Sequence, residues 1–414
     1  MKAVVVVVGC CASFGAGCGI DARNLPEMVF AIDEADVWAD GSARPVPAVS
    51  GEARLLVTNN LDDTVSVISL DELVAGGEGA EIARFVVGGV PLEREGPHHL
   101  AVSADGKFGY VGISNFVPGA GSGPHGVHGA GTAQGRALVV DLDTQRTILD
   151  ERVDRNPGDV RLTPDGQRLL LTHFDLLKVS AAAADDVFDG PTLDARLAVL
   201  DARTLERQAM IDLCPAPHGI AITNDSETAV ASCQSDEAAV VDLDTGSVVR
   251  VSLLDAPGTA AAPVCGPYAV TLTSDQRVAM VSCYNSGELI GVDVAGGARS
   301  GDVVVMPGHA VFGSVAPDGT MAVAVQDSDG VAFLDDDNAT ATLGITRFVS
   351  LTPDVCTLPH ATLWVDDGAH LVVVCEGNKR DAGSVIVLDT ATGAVLGQVP
   401  VGRFPDDLAL QVKP

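Results

Sequence analysis

Three Pro-His pairs, Pro97-His98, Pro217-His218 and Pro359-His360, head stretches of alternating apolar residues, and at two further such heads the proline is followed by Tyr268 and Asp406. Gly158 follows the proline of a sixth stretch, while His99 and Asp159 occupy the next position in theirs. Imidazoles gathered at one recurring position are suited to ligating a transition metal ion or holding an anionic group. Histidines there can equally cap strand ends or line a watery channel mouth, and both readings stay open. His309, in "MPGHAVFGSV", is displaced from the common position. His125 and His128 belong to "VPGAGSGPHGVHGAGTAQG" (117 to 135), and His173 opens "HFDLLKVSAAAADDVFDGPTLDA" (173 to 195). Both stretches read as long loops, where recognition residues concentrate. Their three histidines are expected to gather above His98 and His99. Asp185, Asp186 and Asp189 read as a solvated acidic loop before they read as a hard-cation site.

The elements that must position these residues share one outline. "CPAPHGIAITNDSETAVASC" (214 to 233), "CGPYAVTLTSDQRVAMVSC" (265 to 283) and "CTLPHATLWVDDGAHLVVVC" (356 to 375) align on a central aspartate, and three more copies lack the cysteines. The aligned residues are Asp105, Asp165, Asp225, Asp275, Asp318 and Asp367. Each copy reads as two strands joined by a tight turn. A third strand then ends in an apolar-Asp pair, as in "ALVVDLDT" and "VIVLDTAT", and a less regular fourth precedes the next copy. Such a period is that of a β-propeller blade. Residues 53 to 89 supply a second, third and fourth strand without a first, and "GRFPDDLALQVKP" supplies a first strand alone. The fragments complete a seventh blade, so the termini close the ring and leave no exposed sheet edge. The expectation is an all-β, seven-bladed propeller over residues 51–414.

At "LLVTNNLDDTVSVI", "SADGKFGYVGIS" and "DGQRLLLTHF" the chain resembles the YVTN-repeat family of bacterial and archaeal seven-bladed propellers. The resemblance spans about residues 53 to 412 and implies the fold. Proteins of similar shape include surface-layer proteins, sugar-lactone hydrolases and a haem-binding propeller, so the fold leaves the activity open.

Six cysteines occupy only two repeat positions, and three blades fill both. Pairing within each blade follows: Cys214–Cys233, Cys265–Cys283 and Cys356–Cys375. The Pro-rich lead-in must bend back over the strand end to reach bridging distance. No Cys-x-x-Cys motif points to thiol exchange. Disulfides accord with the leader "MKAVVVVVGCCASFGAGC" (1 to 18), which reads as a secretory signal. Its "GAGC" ending resembles a bacterial lipobox with Cys18 as the lipidated residue, although Gly15 stands where a large apolar residue is usual; simple secretion is the alternative. Residues 19 to 50 read as a flexible tether. The expected compartment is therefore the periplasm or cell surface.

With 56 acidic against 25 basic residues, the chain carries a formal charge of −31. Such a surface repels nucleic acid and anionic headgroups, leaving a lipid anchor as the expected membrane contact. The glycine run at 117 to 135 lacks the Gly-Lys-Ser/Thr of a phosphate loop, and no Gly-x-Ser-x-Gly or haem-attachment motif occurs. The first functional expectation is a monomeric, non-catalytic scaffold that binds a protein or small ligand on its looped face. The second is a metal- or cofactor-binding oxidoreductase built on the histidines. A third is a metal-dependent, lactonase-like hydrolase.

Overall fold

The computed structural model describes residues 53–88, 95–114, 133–335 and 343–412. The leader, the tether, Cys18, His125 and His128 lie outside the described residues. Seven four-stranded antiparallel sheets form the molecule. Their inner strands are Pro97–Val102 (blade one), Pro157–Leu162 (two), Pro217–Ile222 (three), Pro267–Leu272 (four), His309–Val315 (five), Pro359–Val365 (six) and Pro405–Gln411 (seven). In blade seven the C-terminal inner strand pairs with Arg54–Asn59, Leu408 opposite Val57 and Leu410 opposite Leu55. Every inner strand packs against the inner strands of both neighbouring blades, so the ring is closed.

The recurring aspartates are turn residues. Asp105, Asp165, Asp225 and Asp275 each accept the hydroxyl of a Ser or Thr two residues earlier. Each also accepts the backbone N–H two residues later. That geometry ties the reversal between first and second strands. The aspartates ending the third strands do likewise: Asp141, Asp201, Asp242, Asp293 and Asp389 accept backbone N–H groups from the following turn. Between the blades, small branched residues interdigitate, as Leu197, Val199, Ile220, Ala231 and Val241 do between blades two and three. Each such Val, Leu or Ile contributes about 1.5–3 kcal/mol on burial, which is how a chain poor in aromatics builds a core.

The three disulfides join Cys214 to Cys233, Cys265 to Cys283 and Cys356 to Cys375, with Cα–Cα separations of 5.9, 4.7 and 5.3 Å. The bend that permits them is visible in the backbone. The residue before the inner-strand proline is left-handed in six blades: Gly96, Asn156, Ala216, Gly266, Leu358 and Phe404. For the residues other than glycine this costs roughly 1–2 kcal/mol each. It swings the lead-in over the end of the second strand, where Pro217, Pro267 and Pro359 lie opposite Cys233, Cys283 and Cys375. Bridges of this kind persist in extracellular or periplasmic surroundings.

One stretch departs from the expectation of a plain loop. Residues Leu176–Ala184 form a helix, N-capped by Asp175, whose carboxylate accepts the Lys178 N–H at 3.1 Å. A capping aspartate followed by an alanine-rich run explains it. Among the described residues no helix is long and apolar enough to cross a membrane.

Candidate functional site

Ladder register identifies the equivalent hub positions in every blade. Pro97 stands opposite Ile113 and Leu100 opposite Val111, just as Ala310 stands opposite Val325 and Gly313 opposite Val323. The first hub position is therefore His98, Gly158, His218, Tyr268, Val311, His360 and Asp406 around the ring. The second is His99, Asp159, Gly219, Ala269, Phe312, Ala361 and Asp407. His309 falls one residue ahead of the proline position.

A hydroxyl on the neighbouring blade holds the first position. Thr58, Ser232 and Ser282 donate to the carbonyls of His98, Tyr268 and Val311 at 2.6, 2.7 and 2.8 Å, and Thr172 does the same to His218. The inner strands also approach closely: a Cβ on Gly219 would come within 2.6 Å of the Ala269 Cα. Glycine is required there by contact with backbone, not by its φ.

With the backbone clasped, the side chains converge. One ring nitrogen from each of His98, His99 and His218 lies within 4.8 Å of the others. Ring centroids are 4.3 Å apart for His98–His99, 5.4 Å for His98–His218 and 5.5 Å for His99–His218. Nδ1 of His98 lies 3.2 Å from the Pro157 carbonyl, and Nδ1 of His218 lies 3.1 Å from that of Tyr268. A carbonyl only accepts, so these nitrogens carry the protons and the Nε2 atoms carry the lone pairs. His99 is oriented instead by carboxylates, with Nδ1 at 2.9 Å from Asp159 and 3.4 Å from Asp407. Imidazoles held through Nδ1 by carbonyl or carboxylate are the outer-shell arrangement that metal-ligating histidines use.

His360 has a different role. Its Nδ1 donates to the Asp406 carbonyl and its Nε2 accepts the Tyr268 hydroxyl at 2.9 Å. Tyr268 in turn stacks on His218, centroids 4.5 Å apart. His360 thus positions Tyr268 beside the three-histidine group, and burial pushes its own pKa down, keeping it neutral.

Four residues without a place among the sequence candidates complete the hub. Asp407 shares His99 with Asp159, and Arg161 reaches both carboxylates, at 3.1 Å to Asp159 and 3.0 Å to Asp407. Burial opposes charge on His99, yet the two aspartates outweigh it and hold its pKa up at about 9. Burial would raise Asp407, but Arg161 and His99 hold it well below the usual carboxylate range. Asp406 is pushed far upward by burial and by nearby Glu376, so it keeps its proton. Glu376 itself is buried, accepts Gln326 at 2.7 Å and pairs with Lys379 at 2.9 Å. Phe312 fills the axis, its ring 4.8 Å from His99 and 5.4 Å from His360. Asp407 had a signal, because it follows Asp406 as His99 follows His98. Phe312 had none, because blade five lacks the proline that marks register.

Two sequence candidates stand apart. His309 stacks on Tyr284, bonds its carbonyl through Nδ1 and meets Asp327 at 2.8 Å. His173 donates through Nδ1 to the Arg196 carbonyl in its own blade. Asp185, Asp186 and Asp189 are exposed.

No protein-family model matches the chain, and no curated protein matches it. Solved structures with the same fold do. A hydrazine synthase of Kuenenia stuttgartiensis aligns over 79% of this chain and 93% of its own, with a TM-score of 0.57 and 16% identity. A putative 6-phosphogluconolactonase from Bacteroides uniformis aligns over 87% and 100%, with a TM-score of 0.59 and 14% identity. The dihydro-heme d1 dehydrogenase NirN aligns over 88% and 77%, with a TM-score of 0.54 and 15% identity. At these identities the likeness concerns the fold alone.

Proposed function

We propose that this chain is an exported YVTN-type propeller that holds a transition metal ion at its hub, gripped by His98, His99 and His218. The observation that carries the reading is the convergence of three buried ring nitrogens, each imidazole already anchored through Nδ1. An all-imidazole set suits copper, zinc, nickel or iron rather than magnesium or calcium. An anionic ligand fits less well, because Asp159, Asp407 and Glu376 surround the same space. The lactonase reading is disfavoured for a related reason: Asp159 and Asp407 are committed to His99 and Arg161 and are poorly disposed to activate water. Metal binding at His99 must displace the proton that Asp159 and Asp407 stabilise. Export is supported by the three disulfides and the leader, and anchoring through Cys18 by the lipobox-like "GAGC".

The test is elemental analysis of untagged protein by mass spectrometry. About one equivalent of a first-row transition metal is expected. Joint His98→Ala and His218→Ala substitution should remove it while His309→Ala retains it. Protein that is metal-free as isolated, and takes up neither copper nor zinc on dialysis, would leave the histidines as packing groups and end the proposal.

A further inference from the structure

The insertion in blade two builds a second cavity, independent of the hub. It measures about 580 Å³ and lies between the inserted segment (Asp175, Lys178, Thr192) and the outer strands of the blade (Asp194, Arg196, Asp212). That volume is within the range of small-molecule sites. His173 forms part of its wall and is 1% exposed. Because its Nδ1 donates to the Arg196 carbonyl, its Nε2 is an acceptor; that atom is buried and has no hydrogen-bond partner. Burial pushes the ring's pKa down and keeps the lone pair available. A buried acceptor left this way costs about 1–3 kcal/mol. The hub has no use for it.

The charges of the wall decide what fits. Asp154 pairs with Arg196 and Asp175 with Arg155, both at 2.7 Å, and Asp194 pairs with Arg250 at 3.1 Å. With Lys178 and Asp212 the lining holds four carboxylates against three cations, Arg250 reaching Asp194 from outside it. A wall of paired charges with an excess of one carboxylate disfavours an anion and, with most charges already paired, gives a cation little advantage. Pro191 and Ala195 are its apolar members, so it offers no stacking platform for a planar ring. It does present donors and acceptors side by side, and a hydroxyl both donates and accepts. We infer that this cavity binds a neutral polyhydroxyl compound, a mono- or disaccharide, with one ligand hydroxyl donating to Nε2 of His173.

Calorimetric titration of the full, disulfide-bonded chain tests this. The probes are glucose, galactose, maltose and sucrose, with choline chloride and sodium citrate as charged counterparts. At least one sugar should bind saturably and the charged probes should not. His173→Phe removes the acceptor and fills its space, and should weaken binding about tenfold or more. Asp212→Ala, at an exposed position on the rim, should weaken it as well. No binding of any sugar, binding that both variants leave intact, or preferential binding of a charged probe would each overturn the inference. Metal content reports on the hub alone, so the two proposals fail separately.

Discussion

Blades three, four and six secure their entry corners with sulfur, whereas blades one and two secure the same corners with charge. In blade one, Glu95 meets Arg136 at 2.7 Å, two residues before the inner-strand proline. In blade two, Asp154 and Arg155 meet Arg196 and Asp175. There Pro157 stands opposite His173, as Pro217 stands opposite Cys233. The covalent corners accompany short connections, such as that from Cys233 to Glu237; the ionic corners flank the two long insertions. A disulfide constrains its corner regardless of salt. An ion pair leaves a corner that can carry added chain and new polar groups. The looped side of the ring thus trades rigidity for the surface that the second cavity uses.

The largest expected effect lies where blades seven, one and two meet. Asp407→Ala leaves His99 and Arg161 sharing one buried carboxylate and should cost about 3–5 kcal/mol in chemical denaturation. A loss below about 1 kcal/mol, the worth of a surface pair, would show that the hub charges do not hold these blades together. Next come the covalent corners. Replacing Cys356 and Cys375 together by serine should lower stability by about 3 kcal/mol, with no dependence on salt. The ionic corner of blade one should behave in the opposite way: Glu95→Gln costs about 1 kcal/mol at low salt, fading as ionic strength rises. If the blade-six double variant proved as salt-sensitive as Glu95→Gln, the contrast between corners would collapse.

A last effect, read in pH rather than in salt, concerns a carboxylate that does a corner's work in blade seven. Asp63 accepts the N–H groups of Glu95 and Gly96, both at 2.9 Å, and burial raises its pKa to about 6. The folded state therefore retains a proton that the unfolded chain releases near its ordinary value of 3.8. Stability should fall as pH rises from 3.8 through 6 and level off above that. Asp63→Asn should flatten this slope when melting temperature is followed from pH 4 to 7. A slope unchanged in the variant would assign it to another group.

Much of this architecture was legible from residue order. The aspartates at 105, 165, 225 and 275 announced turns because a short side chain bonds its own neighbourhood. The cysteine pairs were legible from their repeat positions, but not all lie within one blade as expected: Cys214 sits on the outer strand of blade two, opposite Ala195, so its bridge to Cys233 ties blade two to blade three. The hub was only partly legible. His98, His218, Tyr268, His360 and Asp406 shared a proline that marked their register, so their common position showed. Arg161 escaped notice because its partner Asp407 belongs to blade seven, and Phe312 because the rings it meets belong to other blades. His173 was expected above the hub, yet its Nδ1 bonds the third strand of its own blade.

Order along the chain alone determined seven blades, their closure and the three bridges, because each rests on residues close along the chain or on one missing strand matched by one spare. Which imidazoles meet, which carry charge and what fills the axis were decided by the closed ring. Closure brings side chains from different blades into contact and strips them of water, so proximity and protonation at the hub have no counterpart in any single repeat.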